Sequence, residues 1–338
     1  MDHALRHERS LRQNRKEEIV MNRIAVLTSG GDSPGMNAAI RAVARTCMYN
    51  DKECIGVMRG YEGLIEGDFK VLDSASVGGI IHRGGTILKT ARSERFKTPE
   101  GREAALAKMR EAKIDGRVVI GGDGSFHGAK ALHELGMPTI GIPGTIDNDV
   151  AGTDETIGFD TAVNTALEAI MRLRDTASSH DRLFIVEVMG RNAGFLALET
   201  AVASGAEYAV VPEIPLSIGN LCKLLRESHA EHKSHTLIIL AEGVMSATEM
   251  RDKLQDTGGY DARVTVLGYI QRGGSPTSFD VVLATRMGAF ATDNLLIGKS
   301  GMMVGNVNHK LVLSDLERSW SEHKSLSPEM LTLISKMN

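Results

Sequence analysis

Short apolar runs of strand length alternate along the whole chain with stretches whose apolar residues recur at helical spacing. Strands are predicted at 24–28, 118–120, 139–142, 183–188, 236–240 and 264–267. Helices are predicted over 36–47, where Ile40, Val43, Ala44 and Cys47 share one face, and over 126–135 and 161–173. Strand–helix–strand order predicts parallel sheets with helices on both faces, an α/β fold. Ligands of such sheets bind beyond the carboxyl ends of the strands. Nearly every predicted strand here ends there in a polar turn containing glycine. No internal repeat or low-complexity segment interrupts the pattern.

The 338 residues suffice for two domains or one large α/β unit, and the 36 glycines fit a fold with many tight turns. A net charge of −4 gives no general drive toward nucleic acid or an anionic membrane, so an anionic ligand would need locally clustered arginines. Cys47, Cys54 and Cys222 have neither metal-ligand nor disulfide spacing, which points to the reducing cytoplasm. No apolar run reaches membrane-spanning length. Residues 1–20 are dense in Arg, His and Glu with no apolar stretch, so they read as a mobile extension outside the fold and not as a secretory signal.

Chemistry concentrates in three turns. Pro143-Gly144-Thr145-Ile146-Asp147-Asn148-Asp149 places two carboxylates two residues apart after a buried strand. Buried carboxylates are costly unless paired or bound to a cation. Gly121-Gly122-Asp123-Gly124-Ser125 and Ser29-Gly30-Gly31-Asp32 each join a strand to a helix. Glycines there let backbone N–H groups approach a phosphate, beside the positive end of a helix. Either turn alone is equally well read as a tight connection; the second occurrence favours the functional reading. Together the turns suggest phosphoryl transfer, with one Asp holding Mg²⁺ and another taking a proton from a hydroxyl.

Arginines recur near glycine turns: Arg92, Arg182, Arg191, Arg263 and Arg272. Met189-Gly190-Arg191 and Gln271-Arg272-Gly273-Gly274-Ser275-Pro276 follow strands and are placed to fork onto a phosphate. Arg41 and Arg45, four apart on one helix face, could form a second anion site or a solvated face. His229, His232 and His235 are spread around a helix and read as no metal site. Gly298-Lys299-Ser300 ends like a phosphate-binding loop, but Asp293 stands where its first glycine should be.

Residues 23–307 resemble the bacterial ATP-dependent 6-phosphofructokinases. The resemblance rests on Leu27 to Asp32, Gly121 to Ser125, Pro143 to Asp149, Val186 to Arg191 and Gln271 to Pro276, in that order. It implies two Rossmann-like three-layer α/β/α domains with mainly parallel sheets and an active site in the cleft between them. One domain would comprise 21–157 with 270–320, the other 158–269 with 321–338. Gly31, Arg92, Ser93, Gly122, Asp123, Gly124 and Ser125 would bind ATP, with Asp123 reaching Mg²⁺. Asp147 would deprotonate the 1-hydroxyl of fructose 6-phosphate, Thr145 would meet the γ-phosphate, and Asp149 would hold metal or orient Asp147. Arg92 and Arg191 would offset charge on the moving phosphoryl group. Ile146, Met189, Gly190, Glu242, Tyr269 and Arg272 would join Thr145, Asp147 and Arg191 in the sugar site. Arg182 and Arg263 would come from a neighbouring subunit of a homotetramer. Arg41, Arg45, Arg174, Gly205, Glu207, Lys233 and His235 match a site for an ADP or phosphoenolpyruvate effector.

Glycine at 124 and 144 favours ATP over pyrophosphate, because pyrophosphate-dependent relatives usually carry Asp and Lys there. A pyrophosphate-dependent enzyme and a non-catalytic regulatory paralogue remain as alternatives. Two departures from the family matter. Tyr269 replaces the usual His at the sugar 6-phosphate, exchanging a charge-assisted bond for a neutral one. Ser74, Gly79 and Glu231 make the effector pocket less attractive to a polyanion.

Overall fold

A computed structural model describes residues 21–177, 183–230 and 236–337. The segment 1–20 and Arg182, Glu231, His232, Lys233 and His235 lie outside the described residues. Two sheets organise the rest. The first has seven strands in the order β11-β10-β5-β4-β1-β2-β3. These are β1 Arg23–Thr28, β2 Glu53–Val57, β3 Phe69–Val71, β4 Gly116–Gly121, β5 Thr139–Pro143, β10 Met302–Val307 and β11 Lys310–Asp315. The second has four, β7-β8-β6-β9, with β6 Leu183–Val188, β7 Tyr208–Val210, β8 Thr236–Ala241 and β9 Ala262–Val266.

The central strands β1, β4 and β5 pair in parallel and are buried on both faces, so they read as largely apolar runs, with Arg117 of β4 the buried exception. Both edges of the seven-stranded sheet are antiparallel instead, β3 against β2 and β11 against β10. The β10–β11 hairpin turns through Asn308 and His309, both with positive φ (49° and 63°), the twist-compatible solution for a two-residue loop. The four-stranded sheet is wholly parallel.

Helices cover both faces of each sheet. On the first, α1 (Met36–Tyr49) and α9 (Ser278–Leu296) bury Ile40, Val43, Leu283 and Met287 on one side. On the other, α2 (Gly60–Glu66), α3 (Pro99–Glu111) and α4 (Asp123–Glu134) bury Leu64, Met109 and Leu132. On the second sheet, α5 (Phe159–Ala177), α6 (Phe195–Ser204) and α11 (Pro328–Met337) share one core containing Ile170, Ala197 and Leu331. Across that sheet, α7 (Ile218–Ala230) and α8 (Ala247–Gly258) bury Leu225 and Leu254. The short helix α10 is Arg318–Ser321.

Two features join the halves. Ile146, Ala162, Met189 and Leu196 form a small shared apolar cluster. Asp280, near the start of α9, is fully buried and caps the start of α5. It accepts hydrogen bonds from the Gly158 and Thr161 N–H groups at 2.8 Å each and from the Thr161 hydroxyl at 2.5 Å. Those orphan N–H groups of a helix start would otherwise lie buried without a partner.

Candidate active site

The turns after β1, β4 and β5 converge on one cleft of about 950 Å³, which also takes in 90–94, Arg191 and Arg272. In the β1 turn, Gly30 has φ 83°. Beside it, a Cβ on Gly31 would lie 3.1 Å from the Arg272 guanidinium, so glycine lets that cation lie against the backbone. In the β4 turn, Asp123 opens α4 and its Oδ1 accepts the Gly124 N–H at 2.6 Å. A carboxylate beside the positive end of a helix makes a site suited to a phosphate with a cation.

The β5 turn is held by its own side chains. Asn148 is left-handed, with φ 52°, a conformation Asn tolerates. Its Oδ1 accepts the Thr156 N–H at 3.1 Å, its Nδ2 donates to the Asp154 carbonyl at 3.2 Å, and Thr156 Oγ1 donates to the Thr145 carbonyl at 2.6 Å. With Asn148 thus turned inward, both flanking aspartates line the cleft.

Asp147 is 5% exposed; its Oδ1 has no partner among the described residues, and its Oδ2 lies 3.8 Å from Arg191 Nε. Burial, then the neighbouring Asp149, pushes its carboxyl up to about 6, against the pull of Arg191 and Arg272. Asp149 is also raised, by burial first and then by Asp123. Asp123 and Asp149 thus line the same cleft close enough to repel, with Arg191 and Lys324 only partly offsetting the charge on Asp149. No cluster of three or more His, Cys, Asp or Glu able to hold a metal occurs among the described residues. Two carboxylates suit a cation that keeps waters and phosphate oxygens as its other ligands, as Mg²⁺ does.

The second sheet supplies the facing wall. After β6 the chain turns sharply at Gly190 (φ 134°) and Arg191 (φ 53°). Arg191 N–H donates to Glu242 Oε1 at 2.9 Å, and Met189 N–H to Gln271 Oε1 at 2.9 Å. Arg191 lines both the main cleft and a shallower pocket of about 560 Å³ with Glu187, Asn192, Glu242, Gly243 and Ser246.

Of the residues the sequence singled out, the cleft gathers Gly31, Arg92, Ser93, Gly122 to Ser125, Thr145, Ile146, Asp147, Asp149, Arg191 and Arg272. Met189 is buried in one apolar cluster with the cleft residue Ile146. Tyr269 is 78% exposed, with Arg272 5.3 Å from its ring centre, and Arg263 pairs with Asp261 at 3.1 Å on the surface. Neither lines the cleft or the shallower pocket beside it. Among the effector residues, Arg45 donates to the Ser74 carbonyl at 3.3 Å, Arg174 donates to the Gly205 carbonyl, and Glu207 accepts the Leu237 N–H at 2.7 Å. Arg41 is half-buried on α1.

The sequence reading missed Tyr61, Phe96, Lys97, Arg102 and His127 in the cleft wall. Tyr61 stacks on Phe96 with centroids 4.2 Å apart and donates to the Ser125 carbonyl at 2.5 Å, bracing the β4 turn. Lys97 and Arg102 flank the N-cap Thr98 of α3, a helix-start signal that would have placed two cations together. Gly124 faces open space, so a side chain there would project into the cleft. At Gly144 a Cβ would instead meet Ile120 Cγ2 at 3.0 Å and Met36 Cε at 3.4 Å, so a side chain there would press on the core and require those two side chains to shift.

The sequence model of the phosphofructokinase family matches residues 23–295. The ATP-dependent 6-phosphofructokinase of Halalkalibacterium halodurans is 53% identical over 318 residues, 94% of this chain and 100% of that protein. Among solved structures, the phosphofructokinase of Pichia pastoris superposes with a TM-score of 0.85 at 34% identity, covering 94% of this chain and 36% of that one. This chain therefore spans about a third of the Pichia protein's length. A pyrophosphate-dependent phosphofructokinase from Marinobacter aquaeolei superposes at 0.81 with 21% identity, over 94% of this chain and 91% of that one, a likeness of fold.

Proposed function

Because this chain belongs to the phosphofructokinase family, we propose that its cleft transfers the γ-phosphate of ATP to the 1-hydroxyl of fructose 6-phosphate, giving fructose 1,6-bisphosphate in glycolysis. The observation that carries this reading is the buried Asp147 carboxylate, with one oxygen unpartnered and the other beside Arg191, at the meeting point of three phosphate-binding turns. Asp147 takes the hydroxyl proton through that free oxygen. Gly31, Arg92, Ser93, Gly122 and Asp123 to Ser125 hold the nucleotide, with the α4 start facing its phosphates. Thr145 meets the γ-phosphate. Arg92 and Arg191 offset charge that grows on the phosphoryl group, where fixed cations in a dry site act most strongly. Asp123, with Asp149 opposite, would hold Mg²⁺, which when bound supplies further neutralisation of the phosphates.

We further propose that the chain forms two domains, 21–157 with 270–320 and 158–269 with 321–338, each built on one of the two sheets. Met189, Gly190, Glu242, Tyr269 and Arg272 bind the sugar phosphate, and Arg182 and Arg263 reach it from a neighbouring copy in a homotetramer. The exposure of Arg263, which pairs with Asp261 on the surface and lines neither pocket of its own chain, supports this sharing. An effector site from Arg41, Arg45, Arg174, Gly205, Glu207, Lys233 and His235 would attract a polyanion weakly, given Ser74, Gly79 and Glu231. No helix among the described residues is long and apolar enough to cross a membrane. We place the enzyme in the cytoplasm, where its three buried free thiols stay reduced.

The test is steady-state turnover of fructose 6-phosphate with Mg·ATP and, in parallel, with pyrophosphate. Turnover with ATP alone is expected. Faster turnover with pyrophosphate, or none with either donor despite nucleotide binding, would overturn the reading. Because the base must be ionised, kcat/KM is expected to fall as pH drops through about 6, the value to which Asp147 is raised. A rate flat from pH 8 to about 5 would contradict its role as base. Tyr269→His is expected to lower the sugar-phosphate KM roughly five- to tenfold by restoring a charged donor. An unchanged KM would remove Tyr269 from the site.

A further inference from the structure

Lys324 lies on the segment between α10 and α11, where the chain passes from the first sheet to the second. Its ammonium donates to the Asp154 carbonyl at 2.6 Å and sits 5.1 Å from the centre of the Phe195 ring. Each contact leads to a catalytic turn. The same Asp154 carbonyl accepts the Asn148 side chain, and Asn148 is the left-handed residue between Asp147 and Asp149. Phe195 opens α6, directly after the turn that carries Arg191.

The far end of this strut is anchored. Asp154 N–H donates to the Asn306 carbonyl at 2.8 Å, and its Oδ2 accepts the Asn308 N–H at 2.7 Å, fixing it to the β10–β11 hairpin. Burial pushes the Lys324 ammonium down to about 8, against the pull of Asp154, Glu155 and Asp149. A solvated lysine would not be held in this way, since a desolvated ammonium must be paired to stay charged.

We propose that Lys324 is a positioning residue for phosphoryl transfer, tying the Asp147–Asp149 turn, through the Asp154 carbonyl, to the root of the turn that carries Arg191. It thereby sets the spacing between the base and the arginine that offsets the moving charge. The inference rests on the phosphoryl-transfer reading above.

The experiment compares the unmutated full chain with Lys324→Met and Lys324→Arg, measuring kcat, KM for ATP and fructose 6-phosphate, and backbone hydrogen exchange of 144–157 and 189–195. In Lys324→Met, kcat is expected to fall roughly 10- to 100-fold, the scale of an ångström-sized misplacement, with KM for ATP within about twofold. Lys324→Arg should restore most of kcat, because a guanidinium can donate to the same carbonyl and lie over the same ring. A Lys324→Met enzyme within about twofold of the unmutated kcat, or a Lys324→Arg enzyme no better than Lys324→Met, would overturn the proposal. If the unmutated chain fails to turn over fructose 6-phosphate, the functional reading fails, and hydrogen exchange decides on Lys324 alone. Faster exchange of both turns in Lys324→Met would then support the strut, and unchanged exchange would overturn it.

Discussion

Asp147→Ser is expected to lower kcat roughly 10²- to 10⁴-fold while leaving nucleotide affinity within about twofold. The size follows from the site. Asp147 is the one carboxylate that is nearly fully buried in the cleft with an oxygen free of partners among the described residues. Its carboxyl, raised to about 6, is still largely ionised at neutral pH yet basic enough to accept a proton. Serine fills less space and accepts no proton at this pH. The turns proposed to hold the nucleotide, Gly122 to Ser125 and Gly31, make no hydrogen bond to it among the described residues. Steady-state kinetics with a parallel nucleotide-binding titration checks this. Loss of binding together with turnover would make Asp147 a structural residue, and retention of turnover would remove it as the base.

Arg191→Gln is expected to cost roughly 10²- to 10³-fold in kcat, the scale of losing one fixed group that stabilises transition-state charge. Arg191 lines both pockets, and its Nε lies 3.8 Å from Asp147 Oδ2. It therefore also holds the Asp147 carboxyl down. Without it, Asp147 would titrate higher, so the acid limb of the pH profile should move upward as kcat falls. The sharp turn itself is made by the backbone, through Gly190 and the Arg191 N–H to Glu242, and should survive the substitution. A fall in kcat with an unmoved acid limb would separate Arg191 from the base.

The sequence made some of this visible for physical reasons. Largely buried strands such as β1, β4, β5, β6 and β8 show as mostly apolar runs, broken only by Arg117 in β4 and Glu187 in β6, and their terminal turns carry glycines and charges together. The edges were not legible. In β10, Gly305 and Asn306 break the apolar run although both are buried, and β11 is half-buried in its middle and exposed at both ends. β2 has a single residue pair of strong strand formers on either side of a glycine, and β7 is three residues long. The same contrast holds for the site. Cleft-lining residues in strand-end turns could be picked out, because motif and topology coincide there. Tyr61 and Phe96 look like core residues, since only folding turns their stacked edge toward the cleft. Lys324 stands in a polar run, Ser321 to Ser325, that reads as a solvated loop. Its contacts are with Asp154 and Phe195, which are far from it in sequence and from each other.

The most direct test of the central claim is to follow the transferred phosphate itself. With Mg·ATP and fructose 6-phosphate, phosphorus NMR of the reaction catalysed by the unmutated chain should show fructose 1,6-bisphosphate and ADP appearing together in equal amounts, with no free phosphate. ATP consumed with release of free phosphate, or a phosphorylated product bearing the new group elsewhere than on the sugar 1-hydroxyl, would contradict it.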